Sequence, residues 1–118
     1  MASRFTELCV DCSDPMPLAE FWRDVLEWEL KVEDGLPYIE PADQSAPSIL
    51  FVKVPESKSV KNRLHIDVSP RDRERDEEVE RLIGLGAKKI DIGQGNPTWV
   101  VMADPEGNEF CVLKTRRP

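Results

Sequence analysis

A single histidine occurs in this chain of 118 residues, and it stands two positions before an acid in the stretch NRLHIDV, residues 62–68. Histidine is the side chain whose charge changes between about pH 5 and 8, so His65 is suited to giving or taking a proton. Apolar Leu64, Ile66 and Val68 alternate there with Arg63, His65 and Asp67, the pattern of a strand with one wet face. Asp67 follows His65 along that face by about 7 Å of strand rise, too far for a direct hydrogen bond. The pair is therefore expected to work through water or a ligand. Arg63, one step earlier, carries a planar fork that can grip a carboxylate or phosphate. Structural roles compete with these: a buried imidazole bonded to backbone or carboxylate, and an ion pair from Arg63 to Asp67 or Glu109.

A second reactive stretch is DPEGNEFCV, residues 104–112, a turn followed by a strand that puts Glu109, Cys111 and Leu113 on one face. Cys9 and Cys12 form a C-x-x-C within FTELCVDC. A redox pair needs its first cysteine at a helix start, and a zinc knuckle needs a second pair. Neither condition holds, and an odd offset on a strand sends the two thiols to opposite faces, so small buried cysteines are expected. Trp99 and Tyr38 could floor a pocket for a planar ligand, with core packing as the alternative for Trp99. Trp22 and Trp28 fit helix-to-sheet packing.

The elements that must position these groups are written twice. FTELCVDC (5–12) alternates as a strand. Asp14 follows as an N-cap with Pro15 at the first helical position, and Leu18, Phe21, Trp22, Val25 and Leu26 make one apolar helical stripe. WELKVED, PYIEP and SILFVKVP then read as three strands, divided by Gly35-Leu36-Pro37 and by ADQSAP. In the second half NRLHIDV is the strand, Ser69 the expected N-cap, Pro70 the first helical residue, and Asp72 completes something near a capping box. The helix RDRERDEEVERLIGLG directs Val79, Leu82 and Ile83 to the core and closes at Gly84 or Gly86. Its charges alternate in sign, with Glu77 and Arg81 spaced for an i, i+4 pair, which reads as a solvated face. KKIDI, TWVVMAD and EFCVLK supply three more strands.

Composition narrows the classes. Three cysteines, an odd number, argue against a disulfide scaffold. A net charge of −7 disfavours nucleic acid and anionic membrane as partners, despite the short basic pieces KSVKNR and KTRR. No apolar run approaches the roughly 20 residues that cross a bilayer, and MASRFTELCVDC lacks the apolar core of a signal peptide, so a cytoplasmic protein is expected.

The doubled strand–helix–three-strand order resembles the vicinal-oxygen-chelate superfamily, which includes glyoxalase I, extradiol dioxygenases and bleomycin-resistance proteins. DCSDPMPLAEFWRDVLEWEL, VPESKSVKNRLHIDV, LIGLGAKKI and DPEGNEFCVL resemble its small bacterial glyoxalase-like group, over about residues 7–113. The resemblance implies an α+β fold: two β-α-β-β-β modules forming a curled, incomplete mixed-sheet barrel around one cleft, helices outside. A single glyoxalase-like domain over 1–118 is expected, module one at about 4–56 and module two at about 60–115.

Helices outside would cover Leu8, Val10, Leu64 and Ile66, leaving Glu7, Cys9, Asp11, Arg63, His65, Asp67, Glu109, Cys111 and Leu113 as cleft wall. The implied catalytic residues are His65, Asp67 and Glu7, and the implied substrate-binding residues are Arg63, Asp11, Cys9, Trp99, Glu109 and Cys111. Metal-using relatives hold a divalent ion at four positions. These fall here on Glu7 (or, two residues along, Cys9), on the FVK segment at 51–53, on His65 and on Cys111. Val52 offers no ligand, so a metal-free cleft is expected, with Glu7, His65 and Cys111 as the remaining metal candidates. Lys61 and Asn62 recur in the group without a role that the residues disclose.

The implied function is a small-molecule cleft protein, an enzyme of lyase or isomerase type or an enzyme-derived binder, acting on a small polar or aromatic metabolite without a cofactor. The alternatives are a metal-dependent glyoxalase- or dioxygenase-type enzyme and an antibiotic-sequestering binder of the bleomycin-resistance kind. A homodimer is implied by the family and by the exposed sheet edges of such half-barrels.

Overall fold

The computed structural model describes residues 2–90 and 99–114. Asp91 and Ile92 of KKIDI, Thr98 of TWVVMAD and the basic tail from Thr115 lie outside the described residues. The chain divides into two compact units, Met1–Ser57 and Lys58–Pro118. Each is a β-α-β-β-β module of an α+β fold, with one helix and one four-stranded mixed sheet.

Module one consists of β1 (Glu7–Cys12), α1 (Pro15–Leu26), β2 (Glu29–Glu33), β3 (Leu36–Glu40) and β4 (Ser48–Lys53). Its strands lie in the order β1-β4-β3-β2, with β1 and β4 parallel and the other neighbours antiparallel. Asp14 is the N-cap with extended backbone, and proline stands in the first turn where a missing N–H costs nothing. The expected stripe is buried at Leu18, Phe21, Trp22 and Val25, and α1 packs on β2, β3 and β4. Phe21 and Trp22 meet edge to face, ring centroids 5.3 Å apart. Fully buried Ile39 and Phe51 complete this core.

Alternation along β1 leaves Leu8 and Val10 half-buried and Cys12 buried, while Glu7, Cys9 and Asp11 are exposed. The expectation of two buried cysteines therefore holds for Cys12 and fails for Cys9, whose face of β1 is the wet one.

Module two repeats the plan with β5 (Ile66–Val68), α2 (Arg75–Leu85), β6 (Lys88–Lys89), β7 (Trp99–Ala103) and β8 (Glu109–Leu113), ordered β5-β8-β7-β6. Again the first and last strands are parallel, with Ile66, Asp67 and Val68 facing Phe110, Cys111 and Val112. Fully buried Phe110, Val112 and Met102 lie with Val79 and Leu82 of α2, which packs on β8 and β6. Residues at odd positions of β8 therefore occupy the sheet face away from the helix.

Three expectations for this module are corrected. Helix α2 begins at Arg75 rather than after Ser69, because its capping box is built five residues later. The Glu74 side chain accepts from the N3 backbone N–H, and Glu77 accepts the Glu74 N–H at 3.1 Å. Residues 71–74 offer no apolar side chain to bury, so nothing extends the helix backwards. With the Glu77 carboxylate engaged at the cap, Arg81 pairs with Glu78 instead, bidentate at 2.9 and 2.8 Å. Glu78 is buried under this pair. The helix closes at Gly86, whose φ of +120° suits only glycine.

The third correction concerns Leu64, expected beneath the helix and found 80% exposed. Strand β5 starts only at Ile66, and the residues before it are drawn away by side-chain bonds described below.

Candidate functional site

On the helix-free face of module two, His65, Asp67 and Cys111 converge. One ligand-type atom from each (imidazole nitrogen, carboxylate oxygen, thiol sulfur) lies within 4.8 Å of the others. The register that sets Asp67 opposite Cys111 on β5 and β8 brings carboxylate and thiol together. His65 Nε2 is 3.2 Å from Asp67 Oδ1. This corrects the expected separation: about 7 Å measures strand rise between the backbones, and two side chains on one face close that gap. His65 precedes the first paired residue of β5, where no ladder holds it flat against the sheet. Both members of the pair are close to half exposed, at 45% and 48% of the side chain.

Burial pushes the Cys111 thiol above its ordinary value. The Asp67 charge and the bond that the thiol donates to Asp67 add to this, and the Lys61 ammonium opposes it. At neutral pH Cys111 is accordingly a thiol that donates to Asp67, whose Oδ1 also lies 3.2 Å from the imidazole Nε2.

Glu109 sits on the same face but is occupied. Lys58 Nζ donates to its Oε2 at 2.9 Å, and the Asn62 backbone N–H donates to Oε1 at 3.2 Å. Burial alone would raise this carboxyl, yet the Lys58 ammonium and the N–H bonds outweigh it and hold the value below the usual glutamate range. Asn62 Nδ2 also donates to Asn108 Oδ1 at 2.8 Å. Asn108 Nδ2 in turn donates to both oxygens of buried Asp104. Asp104 further accepts the backbone N–H groups of Glu106 and Asn108, each at 2.9 Å, closing a turn in which Gly107 has φ +88°. A continuous clasp thus ties residues 58–62 to the turn before β8, which draws the chain off the β5 ladder and leaves Leu64 in solvent.

Arg63, expected to grip an anion or pair with Asp67 or Glu109, is exposed, and among the described residues it makes no ion pair with either. Lys58 and His65 hold those positions. Trp99 is 38% exposed and stands opposite Leu113 in the β7–β8 register, in the same row as Cys111. It is not a core residue. Sequence reasoning named Asn62 without a role and missed the clasp. The adjacent polar residues of KNR were the only signal, and periodicity assigns no partner to a residue outside a regular element.

Module one presents its own polar row. The Cys9 thiol donates to Glu7 Oε2 at 3.6 Å. Slight burial, that bond and the charges of Glu7 and Asp11 all raise the Cys9 value. On the same sheet face, by register, Lys31 Nζ bonds Glu40 at 2.6 Å.

Residues 7–113 match the glyoxalase-like domain family. The chain belongs to that family, and so to the vicinal-oxygen-chelate superfamily. Among solved structures it is similar to the fosfomycin resistance protein FosX from Listeria monocytogenes, with TM-score 0.73 and 16% identity over 98% of this chain and 94% of that one. A FosX variant from the same organism, complexed with Mn(II) and 1S,2S-dihydroxypropylphosphonic acid, has TM-score 0.73 and 17% identity, covering 96% and 90%. A glyoxalase/bleomycin resistance/dioxygenase family enzyme from Burkholderia phytofirmans has TM-score 0.70 and 16% identity, covering 91% and 94%. At such identities the likeness concerns the fold. No curated protein matches the sequence. Among the described residues no helix is long and apolar enough to cross a membrane.

Proposed function

We propose that this is a small-molecule enzyme of lyase or isomerase type whose working groups are His65, Asp67 and Cys111. The observation that carries the reading is the His65–Asp67 contact at 3.2 Å with the Cys111 thiol alongside. A carboxylate oxygen 3.2 Å from Nε2 orients the imidazole. His65 would move a proton on a bound polar metabolite, Asp67 would orient it, and Cys111 would border the substrate as a neutral thiol. Trp99 adds an apolar side chain on the same face of module two. A homodimer accompanies this reading on family grounds, and sedimentation tests it.

A second reading has a metal at the same place, favoured by the donor set itself. Imidazole nitrogen, carboxylate oxygen and thiol sulfur within 4.8 Å suit a borderline-soft divalent ion such as zinc. His65, Asp67 and Cys111 would hold it, and it would supply Lewis acidity to a bound oxygen. The thiol would have to lose its proton for this, so affinity would rise with pH.

The deciding experiment is metal analysis of protein purified without chelator, followed by a thermal-shift screen. Ligand at 100 times its dissociation constant adds about 2.7 kcal/mol. Stabilisation by small acids or thiol adducts, with turnover lost in His65→Gln, supports the enzyme. Stabilisation by glycopeptide antibiotics alone would reassign the protein as a sequestering binder.

A further inference from the structure

We infer that module one carries a small-molecule site of its own, a pocket at the end of its sheet that takes a monoanionic carboxylate with a planar apolar body, such as an arylacetate. The inference goes beyond the module-two reading and stands without it, since none of the residues lining this pocket belongs to the His65 cluster.

The pocket has a volume of about 440 Å³, within the roughly 300–1,000 Å³ of small-molecule sites. It opens between the lead-in to β1, residues 4–6, and the loop that joins β3 to β4, with Glu40 at the end of β3 and Ser48 at the start of β4 beside it. The loop wall is already shaped. Pro41 and Pro47 fix two of its φ angles. The Gln44 N–H donates to the Pro41 carbonyl at 3.0 Å, and the Ser45 N–H donates to Asp43 Oδ1 at 3.0 Å. A wall held in this way needs little ordering when a ligand arrives. On the other side, the β1–β4 ladder begins with Glu7 opposite Ser48, so residues 4–6 lie outside it. Phe5 lines the pocket there and is 67% exposed. A flat ligand laid on that ring removes apolar surface from water and adds a stacked contact.

Charge selects the other end of the ligand. Among the described residues that line the pocket, Arg4 and Glu40 carry the charges. Glu40 is engaged by Lys31, whose Nζ donates to Oε2 at 2.6 Å, and its side chain is only 19% exposed. Arg4 is exposed and makes no ion pair among the described residues. Its guanidinium offers the planar fork that a carboxylate fits. Glu40 in the same wall disfavours a dianion, so a carboxylate suits this pocket better than a phosphate. The Gln44 amide and the Ser48 hydroxyl supply further donors along the wall.

The test is an NMR titration of the 15N-labelled full chain with phenylacetate, phenylacetamide, phenyl phosphate and acetate. Phenylacetate should move the amides of Phe5, Thr6, Gln44 and Ser45 and saturate with a Kd of about 1–10 mM, the range open to so small a ligand. Acetate and phenylacetamide each lack half of the recognition and should bind at least about threefold more weakly. Arg4→Met should weaken phenylacetate about three- to tenfold and leave phenylacetamide within about twofold. Phe5→Ala should weaken both ligands alike, about three- to tenfold. Both positions are exposed, so neither substitution disturbs the core, and the spectra report the fold directly. His65→Gln should bind phenylacetate as the wild type does, whatever becomes of its turnover. Absence of saturation by about 50 mM overturns the site. So does a phenylacetate affinity in Arg4→Met within about twofold of wild type. Tighter binding of phenyl phosphate overturns the ligand class, and shifts confined to module two or lost in His65→Gln overturn the placement.

Discussion

Replacing Lys58 by methionine removes the ammonium that holds Glu109 while keeping the apolar stem. The carboxylate is 15% exposed and retains the Asn62 N–H. At 2.9 Å and an effective dielectric of about 20, the gross attraction is near 6 kcal/mol, most of it offset by desolvation. A hydrogen bond to a charged group contributes about 1.5–3 kcal/mol net, so the variant should lose about 2 kcal/mol at pH 7. For a chain of this size that is roughly 6–10 °C in Tm. The pH dependence carries the sharper prediction. Glu109 has a depressed folded-state value, so the pair's stabilisation is complete above the ordinary glutamate value of about 4.3 and disappears as pH falls through the lower folded one. The difference between wild type and Lys58→Met should therefore shrink in acid. Urea denaturation across that range, with a cycle through Glu109→Gln, measures it. A coupling energy below about 0.5 kcal/mol at pH 7, or a deficit that does not change in acid, would refute the clasp as an energetic unit.

Asp104→Ala deletes a buried acceptor for three backbone and side-chain groups of the turn and should cost about 2–4 kcal/mol by denaturant midpoint, against little for an exposed acid such as Asp72. Phe110→Ala, at a fully buried position opposite Ile66's strand, should cost about 3–5 kcal/mol. His65→Gln should lower turnover about 10²- to 10⁴-fold while shifting Tm by less than 2 °C, since the imidazole is close to half exposed. Gly86→Ala, forced to φ +120°, should destabilise by about 1–3 kcal/mol although its added Cβ meets only Pro105 at 3.7 Å.

Periodicity and punctuation were enough for the repeated element order, the α1 boundaries around Asp14 and Pro15, and the alternation that leaves Glu7 and Asp11 wet. Each of these follows from how neighbouring residues must face when water lies on one side of a strand or helix. The α2 start was misread because Ser69 and Pro70 read locally as a cap, whereas the reciprocated capping box forms between Glu74 and Glu77.

What the tertiary structure decided is who meets whom. Lys58 reaches Glu109 across 51 residues of sequence, and Asn62 reaches Asn108 across 46. Those bonds engage Glu109 with Lys58 and Asn62 and accompany a short β5 with Leu64 exposed. A pattern of polar and apolar letters specifies the face a side chain occupies, because burial is a local choice between water and core. It does not specify the partner that satisfies a charge there, because that depends on the pairing of strands remote in sequence.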